Sequence, residues 1–384
     1  MSELQDVLRA IEEAASRGED MALATVVAIR GSTYRREGAR LAIPADGAPV
    51  GTISGGCLEG EVCQIAGDVM REGTTRLLHY DLTADDEAVW GWGLGCNGVI
   101  DVFVEPAERA VQMAGAIRRA IDEQRELAAV TVVEAPESSA TGPGARLLYE
   151  PDGTVEGTLG DAALDQAAVD AARQALIDDR SRIVPLGAGV NAFVEALLPP
   201  IRLLVCGAGH DAIPLVRFAA GLGWRVEVVD DRQAFLTKER FPEATGFVRL
   251  DEPERAADGT SPDRRTFPVV MTHNFLRDKD YLRAFLGTPV PYIGMLGPNT
   301  RLVKLLQELA REGYVPNPDD MRVVHSPAGL DLGAEGPEEI AWAVIGEVMA
   351  VRSGRGAGFL KDRAGHIHDR PHAAEEEAAA APAG

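Results

Sequence analysis

The stretch that decides the fold is residues 201–230, which reads IRLLVCGAGHDAIPLVRFAAGLGWRVEVVD. An apolar strand leads into a Gly-x-Gly-x-x-Ala turn, a helix-like segment and a second apolar strand that ends at Asp230. This order is the fingerprint of a Rossmann βαβ unit, in which the glycines permit a tight turn and the approach of a phosphate. The candidate nucleotide contacts are Gly207, Gly209, His210 and Asp230, the last as an acceptor for a ribose hydroxyl. Two alternatives stay open, that the glycines serve packing alone and that His210 is a solvated residue at a helix start.

Three further apolar segments after this unit are predicted to be strands, and each runs into a polar or glycine-rich loop. They are residues 268–271, 291–293 and 322–325. Ligands of open parallel sheets bind at the carboxyl ends of the strands. The candidate ligand contacts in these loops are His273, Asn274 and Arg301, although Arg301 is equally an ordinary charge at a helix start.

The N-terminal half contains an internal duplication. When the chain is shifted by 106 residues, residues 25–59 match residues 131–165 at 13 positions without a gap. Each copy, about residues 22–80 and 128–186, predicts a strand, a loop, a short strand, an Asp-Gly turn and a helix. The predicted fold class is therefore α/β, with a duplicated N-terminal α/β domain followed by a C-terminal Rossmann-like parallel-sheet domain.

The domain boundaries follow from composition. A proline pair at residues 199–200 predicts a junction, so the N-terminal domain is placed at 1–198 and the Rossmann-like domain at 199–352. Residues 353–384 are rich in Gly, Ala and Glu and are expected to form a flexible tail. The tail's three histidines do not form a compact set of metal ligands.

The two copies of the duplication differ at a few positions, and residues that only one copy keeps are candidates for function. The first copy has Gly55-Gly56-Cys57 before its helix, whereas the second has Asp161-Ala162-Ala163 there, so the scaffold does not need the glycines or the thiol. The first copy also carries two arginines that the second lacks. Gly55, Gly56, Cys57, Arg35 and Arg36 are therefore candidate ligand contacts. Arg40 has an equivalent in Arg146, which favours a structural role for that arginine.

A second glycine-rich loop, residues 91–98, contains Gly95 and Cys96. Two soft thiolates on such loops suit a soft metal, a persulfide or an exchangeable disulfide, so Cys57 and Cys96 are also the candidate metal ligands. The alternative is that both are small buried residues in tight turns. Cys63 and Cys206 are expected in the core.

Composition excludes several classes of function. The 38 basic and 60 acidic residues give a net charge of −22, which disfavours nucleic acid and anionic membranes as partners. No apolar run approaches the length of a membrane span, and the acidic start is unlike a signal peptide, so a cytoplasmic protein is expected. Four cysteines in such a chain are expected to be thiols rather than disulfides.

Several long motifs, in order, resemble the XdhC/CoxI family of xanthine dehydrogenase accessory proteins. Ser54 and Asn97 are mild departures, since glycine is common at both positions in the family. The motifs are GSTYRREGARL (31–41), VGTISGGCLEGEV (50–62), GWGLGCNGVIDVFVEP (91–106), VCGAGHDAIPLVRFAAGLGWRVEVVDDR (205–232), THNFLRDKDYL (272–282), YIGMLGPNTR (292–301) and SPAGLDLGAEGPEEIA (326–341).

The resemblance implies a maturation factor rather than an independent enzyme. Such a factor would bind the molybdenum cofactor (Mo-molybdopterin), assist its sulfuration and insert it into a xanthine dehydrogenase-like molybdenum hydroxylase. The N–H groups of the two glycine-rich loops would then hold the pterin phosphate. A cysteine desulfurase is an expected second partner, and a homodimer is expected.

Two other functions remain open from the sequence. The first is an NAD(P)-dependent oxidoreductase, or a protein binding another nucleotide, that uses the unit from Gly207 to Asp230. The second is a thiol-redox or sulfur-carrier protein that uses Cys57 and Cys96. No recognisable motif carries a general acid–base pair, which favours docking to a partner over independent turnover.

Overall fold

The computed structural model describes residues 3–32, 35–82 and 97–363. This part of the chain divides into two compact units, with the division between Pro199 and Pro200. Gly95, Cys96 and the chain beyond residue 363 lie outside the described residues. No helix of the described part is long and apolar enough to cross a membrane.

The first repeat begins with an amphipathic helix and forms a five-stranded antiparallel sheet of order β3-β2-β1-β5-β4. A second helix packs on one face of this sheet, and a third follows its last strand. The elements are α1 (Glu3–Arg17), β1 (Met21–Ser32), β2 (Arg40–Pro44), β3 (Val50–Gly51), α2 (Glu59–Glu72), β4 (Arg76–Asp81), β5 (Asn97–Pro106) and α3 (Ala107–Asp122).

The second repeat has an equivalent sheet, of order β8-β7-β6-β10-β9, with α4 at the position of α2 and α3 before it as α1 stands before the first sheet. The predicted duplication is confirmed, and it extends further than the sequence comparison showed. Phe103-Val104-Glu105 of β5 corresponds to Phe193-Val194-Glu195 of β10, but at an offset of 90 residues, because the first hairpin is longer. The elements are β6 (Leu127–Glu134), β7 (Arg146–Tyr149), β8 (Val155–Gly157), α4 (Ala162–Asp178), β9 (Arg182–Gly187) and β10 (Val190–Leu197).

The two repeats share a small apolar cluster and two buried ion pairs. Val27 and Phe103 of the first repeat pack with Val133 and Phe193 of the second. Beside this cluster, Arg40 contacts Glu195 at 2.5 Å and its equivalent Arg146 contacts Glu105 at 2.6 Å. Each arginine therefore binds a glutamate of the other repeat, which confirms a structural role for Arg40.

The second unit is a six-stranded sheet in which every described pair of neighbouring strands is parallel, in the order β13-β12-β11-β14-β15-β16. This is the Rossmann strand order, and its switch point lies between β11 and β14. The predicted fold class is thereby confirmed. The strands are β11 (Arg202–Cys206), β12 (Arg225–Asp230), β13 (Gly246–Arg249), β14 (Thr266–Val270), β15 (Ile293–Met295) and β16 (Val324–His325).

Helices cover both faces of this sheet. Apolar residues of α5 and α9 pack on one face, and those of α7 and α8 pack on the other. The helices are α5 (Ala212–Gly221), α6 (Ala256–Thr260), α7 (Phe275–Phe285), α8 (Asn299–Arg311) and α9 (Pro337–Ser353).

Two local predictions for this unit need adjustment. The strand expected at 322–325 is shorter, because Asp320–Val323 forms a 3₁₀ turn. The remaining two residues form β16, which pairs with β15. Residues 353–384 were expected to form a flexible tail, but the described part of this segment contains a 3₁₀ turn at Leu360–Asp362.

Candidate functional site

The Cys57 turn, defined as residues 52–58, connects β3 to α2. Gly55 and Gly56 adopt φ angles of +89° and +112°, in the region that favours glycine. Both glycines are exposed, and Cys57 is half-buried directly before the first turn of α2. A Cβ atom added to Gly56 would meet no atom within 4 Å, so its backbone conformation, not crowding, requires glycine there.

The carboxylate of Glu59 fills the inside of this turn. It accepts hydrogen bonds from Thr52 Oγ1 at 2.6 Å, from the N–H groups of Ser54 and Gly56 at 3.0 Å, and from the N–H of Leu58 at 3.2 Å. Burial of the carboxyl opposes ionisation, but the hydrogen bonds from Ser54 and Thr52 outweigh it and lower the pKa of Glu59 to about 2. Glu59 is therefore ionised at neutral pH.

This arrangement corrects one expectation. The N–H groups of Ser54, Gly56 and Leu58 are not free to hold a pterin phosphate, because they already donate to Glu59. The N–H of Gly55 donates to Thr52 Oγ1 at 3.2 Å. An anion at this turn would also meet the negative charge of Glu59.

The second repeat shows which of these contacts belong to the scaffold. There, Thr158 Oγ1 donates to Asp165 at 2.7 Å, as Thr52 donates to Glu59. Asp161, at the position of Gly55, caps α4 by accepting two N–H hydrogen bonds. The link between threonine and acid is therefore common to both repeats, while the exposed glycines and the Cys57 thiol belong to the first repeat alone. The role of Glu59 was not predicted, although the sequence contained a signal for it. Glu59 and Asp165 occupy equivalent positions when the two repeats are aligned.

Cys57 and Cys63 both pack, half-buried, against the apolar core of the first repeat, whereas Cys206 lies in the second unit. Cys206 is fully buried, and burial raises the pKa of its thiol far above the ordinary value, which confirms its expected core role. Cys63 packs against the core of the first repeat, and burial together with the charge of Glu59 raises the pKa of its thiol. Cys96 and Gly95 fall outside the described residues, so the expected pairing of Cys57 with Cys96 stays a prediction. Within residues 3–32, 35–82 and 97–363, no group of three or more His, Cys, Asp or Glu side chains could hold a metal ion.

Of the two arginines singled out in the first repeat, Arg35 is tied to the Cys57 turn. Its guanidinium contacts the carboxylate of Glu3, and Glu3 also accepts a hydrogen bond from the N–H of Thr52 at 3.1 Å. Arg36 is exposed. Arg35 is therefore linked to the Cys57 turn indirectly, through the carboxylate of Glu3.

A histidine–aspartate pair on the first sheet was missed in the sequence. His79 Nδ1 lies 2.5 Å from Asp101 Oδ1, and Arg30 contacts the other oxygen of Asp101 at 3.2 Å. The second repeat has Pro185 and Asn191 at the positions of His79 and Asp101. The longer first hairpin hid this difference, because it shifts β5 out of the common offset.

In the second unit, the glycine loop after β11 has the conformation that the fingerprint predicts. Gly207 has φ = +122°, and a Cβ atom there would lie 2.6 Å from the carbonyl oxygen of Met271 on the adjoining β14 loop. His210 is exposed. The N–H groups of Gly209 and His210 make no hydrogen bond within the described part of the chain.

Asp230 is buried at the end of β12 and accepts hydrogen bonds from the fold itself. Burial of its carboxyl opposes ionisation, but hydrogen bonds from the Arg232 side chain and from the N–H groups of Ala208 and Arg232 hold the pKa of Asp230 well below its usual range. Arg232 was not singled out in the sequence as a contact of this acid.

The three predicted contacts in the later loops lie at the carboxyl edge of the sheet, as expected. His273 has φ = +58°, and its Nε2 lies 2.7 Å from Asp211 Oδ2. Asn274 caps α7 through its side-chain oxygen. Arg301 binds the buried carboxylate of Asp278 at 2.7 Å. Each of the three side chains therefore makes an intramolecular contact that the sequence did not predict.

Comparison with known proteins gives consistent matches along the chain. The pattern of the XdhC and CoxI family matches residues 14–81 and 120–187, one match in each repeat, and the pattern of the XdhC Rossmann domain matches residues 203–348. A Bacillus subtilis protein, named as a probable subunit of xanthine dehydrogenase, is 33% identical over 340 residues, which cover 87% of this chain and 94% of that protein.

Two further relatives cover nearly the whole chain. The Escherichia coli protein called molybdenum cofactor insertion chaperone PaoD is 23% identical over 346 residues, which are 90% of this chain and 88% of PaoD. A crystal structure from Bacillus halodurans, described as a xanthine dehydrogenase, superposes with a TM-score of 0.71 at 28% identity, covering 92% of this chain and 98% of that one.

Proposed function

The chain belongs to the XdhC and CoxI family, and from this premise we propose that it is an accessory protein of a xanthine dehydrogenase-type molybdenum hydroxylase. Its task is to bind the molybdenum cofactor and to assist the cofactor's sulfuration and insertion into that enzyme. The name of the relative PaoD, a cofactor insertion chaperone, supports this proposal.

The observation that carries the proposal is the Cys57 turn. It differs from its counterpart in the second repeat by two exposed glycines and a half-buried thiol, which the scaffold does not require. The N–H of Cys57 makes no hydrogen bond among the described residues. A thiolate is a soft ligand for molybdenum and a nucleophile that can carry sulfur. We therefore propose that Cys57 contacts the cofactor.

Charge decides where the phosphate of the cofactor would lie. The ionised Glu59 inside the turn repels an anion, so the pterin phosphate is expected on the arginine side rather than on the glycine N–H groups. It would contact the exposed Arg36 and, in competition with the carboxylate of Glu3, Arg35. Gly55 and Gly56 then serve to leave the approach to Cys57 open.

The first experiment measures retention of the cofactor. The full chain is produced in cells that make ample molybdenum cofactor, and bound molybdenum and pterin are quantified after purification. Wild type is expected to retain both, and Cys57→Ala is expected to lose most of each. Cys63→Ala is the matched control, because Cys63 is another half-buried thiol of the same repeat that packs against the core. A wild-type protein that never carries the cofactor, or a Cys57→Ala variant that retains as much as wild type, would contradict the proposal.

The proposed partners are tested separately. A cofactor-free xanthine dehydrogenase-type hydroxylase should gain activity faster from cofactor supplied with wild type than from cofactor supplied with Cys57→Ala. Incubation with a cysteine desulfurase and cysteine should add one sulfur atom to the chain, located by mass spectrometry of peptides. Light scattering tests the proposed homodimer.

A further inference from the structure

Asp230 stands where a dinucleotide-binding Rossmann unit places the acid that accepts a hydrogen bond from the ribose 2′-hydroxyl. In this structure its carboxylate already accepts four hydrogen bonds. Oδ2 accepts from the N–H of Ala208 at 2.7 Å and from Arg232 Nη2 at 2.8 Å. Oδ1 accepts from the N–H and from Nε of Arg232, both at 2.9 Å. A carboxylate has about four lone-pair positions, so Asp230 has no acceptor left for a ribose hydroxyl.

Two guanidinium groups converge beside this acid. The Arg232 guanidinium lies 4.2 Å from the ring centre of Phe235, and that of Arg240 lies 4.8 Å from the same ring. Arg240 also donates to the carbonyl of Ala208, in the glycine loop, at 3.2 Å. Both cations therefore lie at the carboxyl end of β12, next to the loop that would receive the phosphates.

Arg240 carries a charge that the fold does not neutralise. Among the described residues, no carboxylate lies within 4 Å of it, and its Nε is buried without a hydrogen-bond partner. The sequence has 60 acidic residues against 38 basic ones, so carboxylates are abundant on this protein. An arginine beside the glycine loop without a carboxylate partner can bind an anion from outside.

The rest of the crevice leaves donors for a second anionic group. The N–H groups of Gly209 and His210, before α5, make no hydrogen bond within the described residues. Asp211, the acid at this helix start, is in hydrogen-bond contact with His273, whose Nε2 lies 2.7 Å from Asp211 Oδ2. N–H groups at a helix N-terminus bind pyrophosphate in Rossmann units.

We infer that this crevice binds a nucleotide of the NADP(H) type, with Arg232 and Arg240 holding a phosphate on the ribose 2′-oxygen. The inference is independent of the proposed cofactor role, because it uses only residues of the second unit. Arg232 neutralises Asp230 through Nε and Nη2, and among the described residues its Nη1 makes no hydrogen bond and is left for the phosphate. The phosphate supplies the negative charge that Arg240 lacks. Arginine in this position accommodates the 2′-phosphate in other units of this topology.

Calorimetric titration of the full chain tests the inference with pairs of ligands that differ only in one phosphate. NADPH is compared with NADH, and 2′,5′-ADP is compared with ADP. Each 2′-phosphorylated ligand is expected to bind about tenfold more tightly, or better, than its partner, because charge-assisted hydrogen bonds to two guanidinium groups are gained. Coenzyme A, which carries a 3′-phosphate, serves as the positional control and is expected to bind no better than ADP.

Two variants locate the site. Arg240→Ala is expected to weaken NADPH binding about tenfold more than it weakens NADH binding. Arg232→Ala frees acceptor positions on Asp230 and is expected to reverse the preference, so that NADH binds more tightly than NADPH. Arg311→Ala is the matched control, since Arg311 is exposed at the far end of α8 and pairs with the neighbouring Glu308. Circular dichroism and melting temperature establish that each variant is folded.

Equal binding of NADPH and NADH by wild type would overturn the inference, as would binding of neither. Tighter binding of coenzyme A than of 2′,5′-ADP would also overturn it, because the phosphate site would then recognise the 3′ position. Molybdenum retention is also measured for the Arg240→Ala protein. If nucleotide binding is lost while molybdenum is retained, the nucleotide site and the proposed cofactor role are independent.

Discussion

Arg40 in β2 and Glu195 in β10 form a buried ion pair between the two repeats, with Nη2 and Oε2 2.5 Å apart. The equivalent residues, Arg146 and Glu105, form the reciprocal pair at 2.6 Å. Each repeat thus buries an arginine and a glutamate that pair with residues of the other repeat. Because an uncompensated buried charge is costly, the two repeats are expected to fold as one unit and not separately.

The first prediction follows from this pair. Arg40→Ala leaves the carboxylate of Glu195 buried without its partner and should lower the free energy of unfolding of the first unit by about 3–5 kcal/mol. Urea denaturation followed by circular dichroism measures the effect. Arg119→Ala, which removes an exposed pair with Glu156, should change it by less than about 1 kcal/mol. Equal midpoints for Arg40→Ala and wild type would show that the buried pair contributes nothing.

The second prediction concerns the carboxylate in the Cys57 turn. The pKa of Glu59 is lowered to about 2, whereas a glutamate in an unfolded chain has a pKa of about 4.3. The ionised carboxylate therefore stabilises the fold fully above about pH 5, and this contribution is lost as the pH falls toward about 2. Glu59→Gln should be less stable than wild type at pH 7, and the difference should shrink over that acidic range.

Denaturation at a series of pH values measures this difference. Glu72→Gln, at the other end of α2 in an exposed ion pair, is the control for a loss of charge and should show little change. A difference between wild type and Glu59→Gln that stays constant from pH 7 to about pH 2 would argue against the ionised carboxylate as the cause.

The third prediction orders the described cysteines by reactivity. Cys206 is fully buried with a strongly raised pKa, Cys63 is half-buried with a raised pKa, and Cys57 is half-buried directly after the two exposed glycines of its turn. The thiolate is the reacting form, so iodoacetamide at pH 8 should modify Cys57 first, Cys63 more slowly and Cys206 not at all in the native state. Peptide mass spectrometry follows the time course, and in urea all three should react. Native modification of Cys206 before Cys57 would refute this order.

The fourth prediction tests the glycine loop of the second unit. Gly207→Ala places a Cβ atom against the carbonyl of Met271 at a φ of +122°, so the melting temperature of the second unit should fall by several degrees. Gly221→Ala, at the end of α5 with no atom within 4 Å of the added Cβ, should leave it unchanged or raise it slightly. Similar melting temperatures for the two variants would mean that the loop adapts to a side chain.

Much of the fold followed from local pattern. The glycine turn, its flanking strands and Asp230 predicted the Rossmann unit, and the offset of 106 residues predicted the duplication, because both depend on periodicities that each segment carries by itself. The shorter β16 was not predicted. The run RVVH at 322–325 has the composition of a strand, but the N–H groups of Met321 and Arg322 donate to preceding carbonyls and hold the first half of the run in a 3₁₀ turn.

The sequence by itself determined the two units, the repeats, and Cys57 as the thiol that the scaffold does not require. Only the tertiary structure decided how these groups are occupied: Glu59 fills the turn that was expected to hold a phosphate, and Arg232 together with the N–H of Ala208 occupies the acceptor positions of Asp230. The physical reason is that a hydrogen-bonding group's free capacity depends on which partners the folded chain brings within about 3 Å, and spacing along the sequence does not contain that information.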